Sequence, residues 1–271
     1  MSMFINTNVS AINAHRNLGF NNTQMGKTME KLSSGYRINR AADDAAGLAI
    51  SEKMRFQING LNQAMRNAQD GISLIQTAEG ALTEVHSMLQ RLNTLANQSA
   101  NGTYDGTDRG NLQKEVSQLL TEIGSIATNT KFNDINLLNT TGKVTFQIGV
   151  DKDVTLTASL ANVAVSALGI AGLNISTATG ASSAIGLIKS AINMVSTTRA
   201  NFGAVQNRLE HTINNLGVTA ENLSASESRI RNADMAKEMT DFTRNQILVQ
   251  AGTAMLAQAN SAPQSVLKLL G

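Results

Sequence analysis

Cysteine is absent from the chain, which removes disulfides, thiolate metal sites and a cysteine nucleophile from consideration. There is no tryptophan, one proline, and only 3% of the 271 residues are aromatic. The 42% that is apolar is supplied mainly by Ala, Leu, Ile and Met, residues that lose little freedom in a helix, while the proline that would break one is nearly missing. Long helices are therefore expected in place of sandwiches or barrels. No run of about 18 apolar residues occurs, so no membrane partner is expected. The first residues lack a basic start followed by an apolar stretch, so export by a cleaved signal peptide is not expected either. The formal net charge of +2 provides no dense positive field, and nucleic acid is not an expected partner. Residues 1–40 carry five Lys or Arg and one acid, and residues 229–271 carry five and three. Clusters this modest read as ordinary solvated surface.

Catalytic constellations are also missing. His15, His86 and His211 are isolated on expected helices, and none belongs to an HExxH pair. No GxGxxG, GxxxxGK[ST] or GxSxG stands in the sequence. Asp43-Asp44 and Asp151/Asp153 suit a helix start and a hairpin loop better than acid and base roles. The chain is expected to be no enzyme and to carry no cofactor or metal.

What is present is periodicity. Met54, Leu61, Ala68, Ile75, Leu82, Leu89 and Ala96 recur every seventh residue, with Ile58, Met65 and Ile72, then Val85 and Leu92, as a second row. Such a seam marks a long helix packed by coiled-coil-like contacts. Asp43 and Asp44 suit its start and Asn101-Gly102 its end. The second half repeats the pattern at Ile188, Val195, Phe202, Leu209, Leu216, Leu223 and Ile230. Leu112, Val116, Leu119, Ile123 and Ile126 predict a shorter helix after the Asp105-Gly106 turn. Between them the period changes to two over Val144, Phe146, Ile148 and Val150, and again over Val154, Leu156 and Ala158, predicting a β-hairpin with a three-residue loop at 151–153. Residues 159–183 are rich in Ala, Gly, Ser and Thr and predict a surface connection with little regular structure.

The chain ends form a further pair. Phe4, Ala11, Leu18, Met25 and Leu32 trace one thin seam; Met235, Phe242, Leu248, Met255 and Leu256 trace the other. Ser33-Ser34-Gly35 predicts a helix stop. The expected fold is mainly α: a long antiparallel helical bundle with paired terminal helices and one small β-hairpin near 144–158. The expected division is a terminal helical domain of residues 1–42 and 232–271 and a helical rod domain of residues 43–231 that includes the connection near 159–183.

The segment LSSGYRINRAADDAAGLAI at residues 32–50 resembles the flagellin signature LSSGxRIxxAxDDAAGxAI. Ile5-Asn6-Thr7-Asn8, the run from Asn67 to Gly80, Phe146-Gln147-Ile148-Gly149, Ser228-Arg229-Ile230, Gln246-Ile247-Leu248, Gln250 to Thr253 and Leu256 to Asn260 resemble the same family. The resemblance implies a filament subunit of minimal type for swimming motility, with terminal and rod domains only. Phe4, Leu18, Met25, Leu32, Phe242, Leu248, Met255 and Leu256 are the expected filament-core packing residues. It further implies other flagellin subunits, an export chaperone and the export apparatus, and filament cap and junction proteins as partners. The expected location is the extracellular flagellum, reached through the flagellar secretion system. Gln90-Arg91 with Leu95-Ala96, and Glu115 in Gln113-Lys114-Glu115, resemble the patch by which some flagellins meet an animal innate immune receptor. Arg91, Leu95 and Glu115 are therefore the expected receptor and subunit contact. The rival readings are a flagellar hook-filament junction protein, which shares the terminal helices, and a soluble coiled-coil scaffold, which would explain the heptads alone.

Overall fold

The structure, a computed structural model, describes residues 7–270, with side chains described for residues 7–261. In chain order the elements are α1 (Val9–Ser34), α2 (Ala45–Ala100), α3 (Gly106–Asn129), β1 (Lys131–Phe132), β2 (Ile135–Asn136), β3 (Lys143–Gln147), β4 (Thr155–Ser159), α4 (Ala178–Arg231) and α5 (Met235–Leu270). They form two compact units. One is drawn from the two ends of the chain, up to Phe56 and from Glu221 onward; the other is Gln57–Ala220. The boundary thus falls inside both long helices instead of at the loops near residues 42 and 232. The start of α2 and the end of α4 are bonded to the terminal connectors: Glu52 pairs with Arg231, and Arg37 donates from its guanidinium to the Ile230 carbonyl at 2.6 Å.

In the unit Gln57–Ala220, buried positions of α2 alternate by three and four residues. Leu61, Ala68, Ile75, Leu82, Leu89 and Ala96 form one row as expected. The second row is Ala64, Gly71, Ala78, Val85, Leu92 and Ser99, while Ile58, Met65 and Ile72 lie half-buried at its flank. Small residues in that row allow close approach. A Cβ on Gly71 would sit 3.2 Å from Phe146 and 3.3 Å from Leu209. Antiparallel packing of α2 and α4 follows from paired contacts that run in opposite directions along the chain, Gly71 with Leu209 and Glu79 with Arg199 at 3.5 Å. Asp105 caps α3 by accepting from the Asp108 amide at 2.7 Å. α3 returns antiparallel along α2: Arg109 donates to the Ser99 carbonyl near the turn, and Arg91 meets Glu115 further on.

β3 pairs with β4 from Lys143↔Ser159 to Gln147↔Thr155, with Val144, Phe146, Leu156 and Ala158 on the inner face. The connecting loop runs over residues 148–154, longer than the expected three residues. Its inside is held by the Gln147 side-chain amide, which donates to the carbonyls of Gly149 at 3.0 Å and Asp151 at 2.6 Å. A second, smaller hairpin, β1–β2, is unmarked by periodicity. Its two-residue turn, Asn133 at φ 47° and Asp134 at φ 62°, has the positive dihedrals that match strand twist in tight hairpins.

The expected surface connection at 159–183 is corrected by the structure. Leu160, Val163, Leu168, Ile170, Leu173 and Ile175 are buried in the same core as α2, α3 and α4, and α4 already begins at Ala178. The segment is pinned by side chains. The Gln113 amide donates to the Leu173 carbonyl at 3.1 Å and accepts from the Ile175 amide at 2.7 Å, and the buried Ser99 hydroxyl donates to the Ile175 carbonyl. Irregular backbone inside a core needs such partners, because an unpaired buried peptide group costs about as much as a lost hydrogen bond.

In the unit made from the chain ends, Asn8 caps α1. Gly35, at φ 73°, ends it in the left-handed conformation and returns its amide to the Lys31 carbonyl. The two connectors then pair. Arg37 N–H donates to Arg231 C=O at 2.7 Å and Ala233 N–H to Gly35 C=O at 2.9 Å, around the Tyr36↔Asn232 bridge. Asp44 caps α2 through the Gly47 amide at 2.8 Å. Asp43 instead braces the turn, accepting from the amides of Asn39 and Arg40. Those backbone bonds, Arg40 first, hold its carboxyl below the ordinary range.

The polar faces of the helices are rich in Ser and Thr that bond their own backbone. Thr77, Thr83, Ser87 and Thr94 on α2 donate to the carbonyl four residues earlier, as do Ser117 and Thr121 on α3 and Thr197 and Thr212 on α4.

Candidate assembly and recognition surfaces

α1 and α5 lie antiparallel. The Asn8 side chain donates to the Ala259 carbonyl at 2.7 Å, Gly252 meets Leu18, and Lys31 pairs with the buried Glu238 at 3.3 Å. The inner line of α5 is Glu238, Phe242, Asn245, Val249, Gly252, Leu256 and Ala259, spaced by three and four. Of the expected packing residues, Leu18, Met25, Leu32, Phe242 and Leu256 are half-buried along this pair. Phe4 lies outside the described residues. Leu248 and Met255 are 42% and 65% exposed and lie outside the α1–α5 crossing. Each stands one residue from the inner line, about 100° round the helix, so Val249 and Leu256 take the inner positions.

Exposed apolar residues are spread round the rest of this pair, and most of them stand off the expected seams. Val9, Ile12, Phe20 and Met29 on α1, and Met235, Met239, Ile247, Leu248 and Met255 on α5, are all 42% exposed or more. Single exposed apolar residues are normal, but a set gathered on one helix pair marks an interaction surface. For the six that stand off the expected seams, Val9, Ile12, Phe20, Met29, Met239 and Ile247, the available signal was apolar residues with few charges among them.

The second site is split by the structure. Arg91 Nε reaches Glu115 Oε1 at 2.7 Å with both side chains exposed. Bonding to the Glu115 carboxylate raises the Arg91 guanidinium above its ordinary value. Leu95 is corrected: it is 0% exposed and belongs to the core of α2. Arg91 and Leu95 are four apart, but the helix turns 40° beyond a full turn over that distance, which here separates a rim position from the packed seam. His86 bonds Gln90 at 3.0 Å through Nε2. Among the described residues no group of three His, Asp or Glu is placed to hold a metal ion, and no helix is long and apolar enough to cross a membrane.

Comparison with known proteins gives concordant results. Residues 5–143 match the family model for the bacterial flagellin N-terminal helical region, and residues 185–270 match that for the C-terminal helical region. A flagellin of Halalkalibacterium halodurans is 56% identical over 271 residues, 99% of this chain and 100% of that one. A flagellar filament 33 kDa core protein of Treponema phagedenis is 53% identical over 285 residues with the same shares. The crystal structure of Bacillus cereus flagellin superimposes with TM-score 0.52 at 36% identity, covering 60% of this chain and 94% of that one. A putative flagellar hook-associated protein from Vibrio parahaemolyticus gives TM-score 0.60 at 13% identity over 70% of this chain and 100% of that one, a likeness of fold alone.

Proposed function

The chain belongs to the bacterial flagellin family and is a structural subunit of the flagellar filament, and we propose that its copies join through the outward faces of α1 and α5 into a filament that serves swimming motility. The observation that carries this reading is the set of exposed apolar residues on the terminal pair, from Val9 to Phe20 and from Met235 to Met255. Burying apolar surface is worth roughly 25 cal/mol per Å², and neighbouring copies supply the cover that one α1–α5 pair lacks. A contact that does not close on itself then extends as a helical polymer.

The same surface supports the remaining partners. An export chaperone would shield the apolar side of α5 before assembly, the chain would leave through the flagellar export apparatus to the extracellular filament, and cap and junction proteins would meet the terminal helices at the filament's ends. The Arg91–Glu115 pair supports the immune-receptor reading, because a guanidinium fixed by a carboxylate presents directed donors at low entropic cost. In this reading Leu95 only holds the helix beneath the pair. No chemistry is assigned to the chain; its role is structural.

The test is removal of residues 1–40 and 232–271. The remaining chain is expected to stay helical and monomeric by circular dichroism and sedimentation, while the full chain forms filaments visible by electron microscopy. Filaments from the truncated chain would overturn the assignment of assembly to the ends.

A further inference from the structure

Among the described residues, the β3–β4 hairpin leaves most of its two outer edges without partners. Ile148 N–H donates to Val154 C=O and Leu160 N–H to Gly142 C=O. These bonded pairs fix the parity of the ladder, so Lys143, Thr145 and Gln147 on β3, and Thr155, Thr157 and Ser159 on β4, turn their peptide groups outward. Each edge is met at its loop end: Asn67 of α2 donates its side-chain amide to the Gln147 carbonyl at 3.0 Å, and the Thr155 N–H donates to the Asp153 carbonyl at 3.1 Å. On the β4 side, among the described residues, no side chain bonds the main chain of Thr157 or Ser159. A cavity of about 310 Å³ lies there, lined by Thr157, Ser159, Asn201, Val205 and Arg208. Arg208 is exposed and its guanidinium makes no ion pair or hydrogen bond among the described residues.

This cavity has defined chemical needs: a carboxylate for Arg208, hydrogen-bonding groups for the strand edge and its hydroxyls, and an apolar group for the half-buried Val205. The loop at the far end of the same hairpin has that composition. Asp151 and Asp153, on either side of Lys152, are exposed with no ion pair among the described residues, so the loop carries a net negative charge, and Val154 beside them is 46% exposed. The loop and the cavity sit at separate places on one hairpin, so a 151–154 loop that fills the cavity belongs to another molecule.

We propose that the cavity between β4 and α4 receives the 151–154 loop of a second copy of this chain, with Asp151 and Asp153 facing Arg208 and Val154 resting on Val205. The inference rests on the filament reading above and adds to it a contact outside the terminal helices. Loop into cavity is a heterologous contact, in which each copy offers one half at each place, so it repeats along a row of copies without closing. Its charges decide which part of a neighbour is accepted, since opposing like charges at an interface are strongly unfavourable.

The experiment is charge exchange in the full chain, read as the concentration needed for filament growth. Arg208→Glu sets a third acid against Asp151 and Asp153, and the double variant Asp151→Lys, Asp153→Lys makes residues 151–153 all lysine opposite Arg208. Each variant alone is expected to need roughly 10-fold or more protein to polymerise, with helicity by circular dichroism equal to the parent. An equimolar mixture of the two should recover, because each variant's loop then matches the other's cavity, and the triple variant should recover alone. Failure of both rescues, with helicity intact, overturns the inference, as does normal growth of either parent variant. Growth lost by Arg208→Glu yet unmoved by the loop variant would assign the cavity to another occupant and equally overturn it. A parent chain that forms no filaments at all would instead strike the filament reading.

Discussion

Leu209 is the position where the packing argument makes its sharpest quantitative demand. It is 0% exposed and faces Gly71 at a distance of 3.3 Å from where a Cβ would stand, with Phe146 of β3 on the same spot. Leu209→Ala removes buried methyl and methylene groups from between two long helices and a sheet. Burial loss alone is worth about 1.5–3 kcal/mol, and the cavity left behind brings measured cases of this change to about 2.7–5.0 kcal/mol. The site should fall in the upper half of that range, because Gly71 has no side chain to lean into the gap. At about 2–4 °C per kcal/mol for a domain of this size, melting should drop by roughly 8–20 °C. Val218→Ala on the same helix is the control: Val218 is 60% exposed, and surface changes of this kind stay within about 0.5 kcal/mol. Circular dichroism melts of both variants as monomers, with denaturant titration to give the free energies, make the comparison. Equal losses for Leu209→Ala and Val218→Ala would refute the seam and with it the α2–α4 register. Leu209→Asp should be worse still, since it buries a carboxylate without a partner, whereas Asn207→Asp, at an exposed position, should cost little.

Acid should loosen the turn between α1 and α2. The carboxyls of Asp43 and Glu52 are held below their ordinary values, by the Arg40 and Asn39 amides and by Arg231 respectively; groups depressed in the folded state add stability above their unfolded values, and that stability is lost as pH falls through the folded ones. Melting temperature should therefore decline below about pH 4, and Asp43→Asn should flatten that decline while lowering stability at neutral pH; an unchanged acid limb would show that the capping bonds carry no weight. In the terminal pair, Gly252→Leu should separate α1 from α5, since even a Cβ at this position stands 3.4 Å from Leu18 Cδ1. Filament growth should fail while the Gln57–Ala220 unit keeps its melting transition, and filaments of normal yield would show that the close crossing is dispensable.

Large apolar residues made the long helices legible. Leu61, Ile75, Leu82 and Leu89 announce one row of α2, and Ile188, Val195, Phe202 and Leu209 one row of α4. The second row of α2 was partly hidden because Ala64, Gly71 and Ala78 carry little hydropathy; their role is closeness, which composition does not report. The stretch 160–177 was misread for a different reason. Val163, Leu168, Ile170, Leu173 and Ile175 follow neither a helical nor a strand period, and they are buried through bonds from Ser99 and Gln113 that lie far away in sequence. At the surfaces, the family-like motif correctly brought Arg91 and Glu115 together but carried Leu95 with them, although the three-and-four pattern of α2 places Leu95 inside. On α5, Leu248 and Met255 continue the apolar seam read from the sequence but stand off the crossing with α1. The inner line passes instead through Asn245, Val249 and Gly252, where small or polar residues fit the narrow crossing.

The hydroxyls that bond back along α2, α3 and α4 govern how the subunit meets changes in its medium. A threonine closed onto its own backbone is neutral, so dissolved ions do not screen it, unlike exposed charges, whose interactions are screened over a Debye length of about 8 Å at physiological salt. Most charge pairs that do occur are at least partly exposed, such as Arg55–Glu52 and Arg244–Asp241, and pairs of that type contribute little. The helices of the subunit are thus nearly indifferent to ionic strength. Salt acts instead on contacts between copies that are made of unlike charges, so dilution or brine would alter how the subunits hold each other before it altered any one of them.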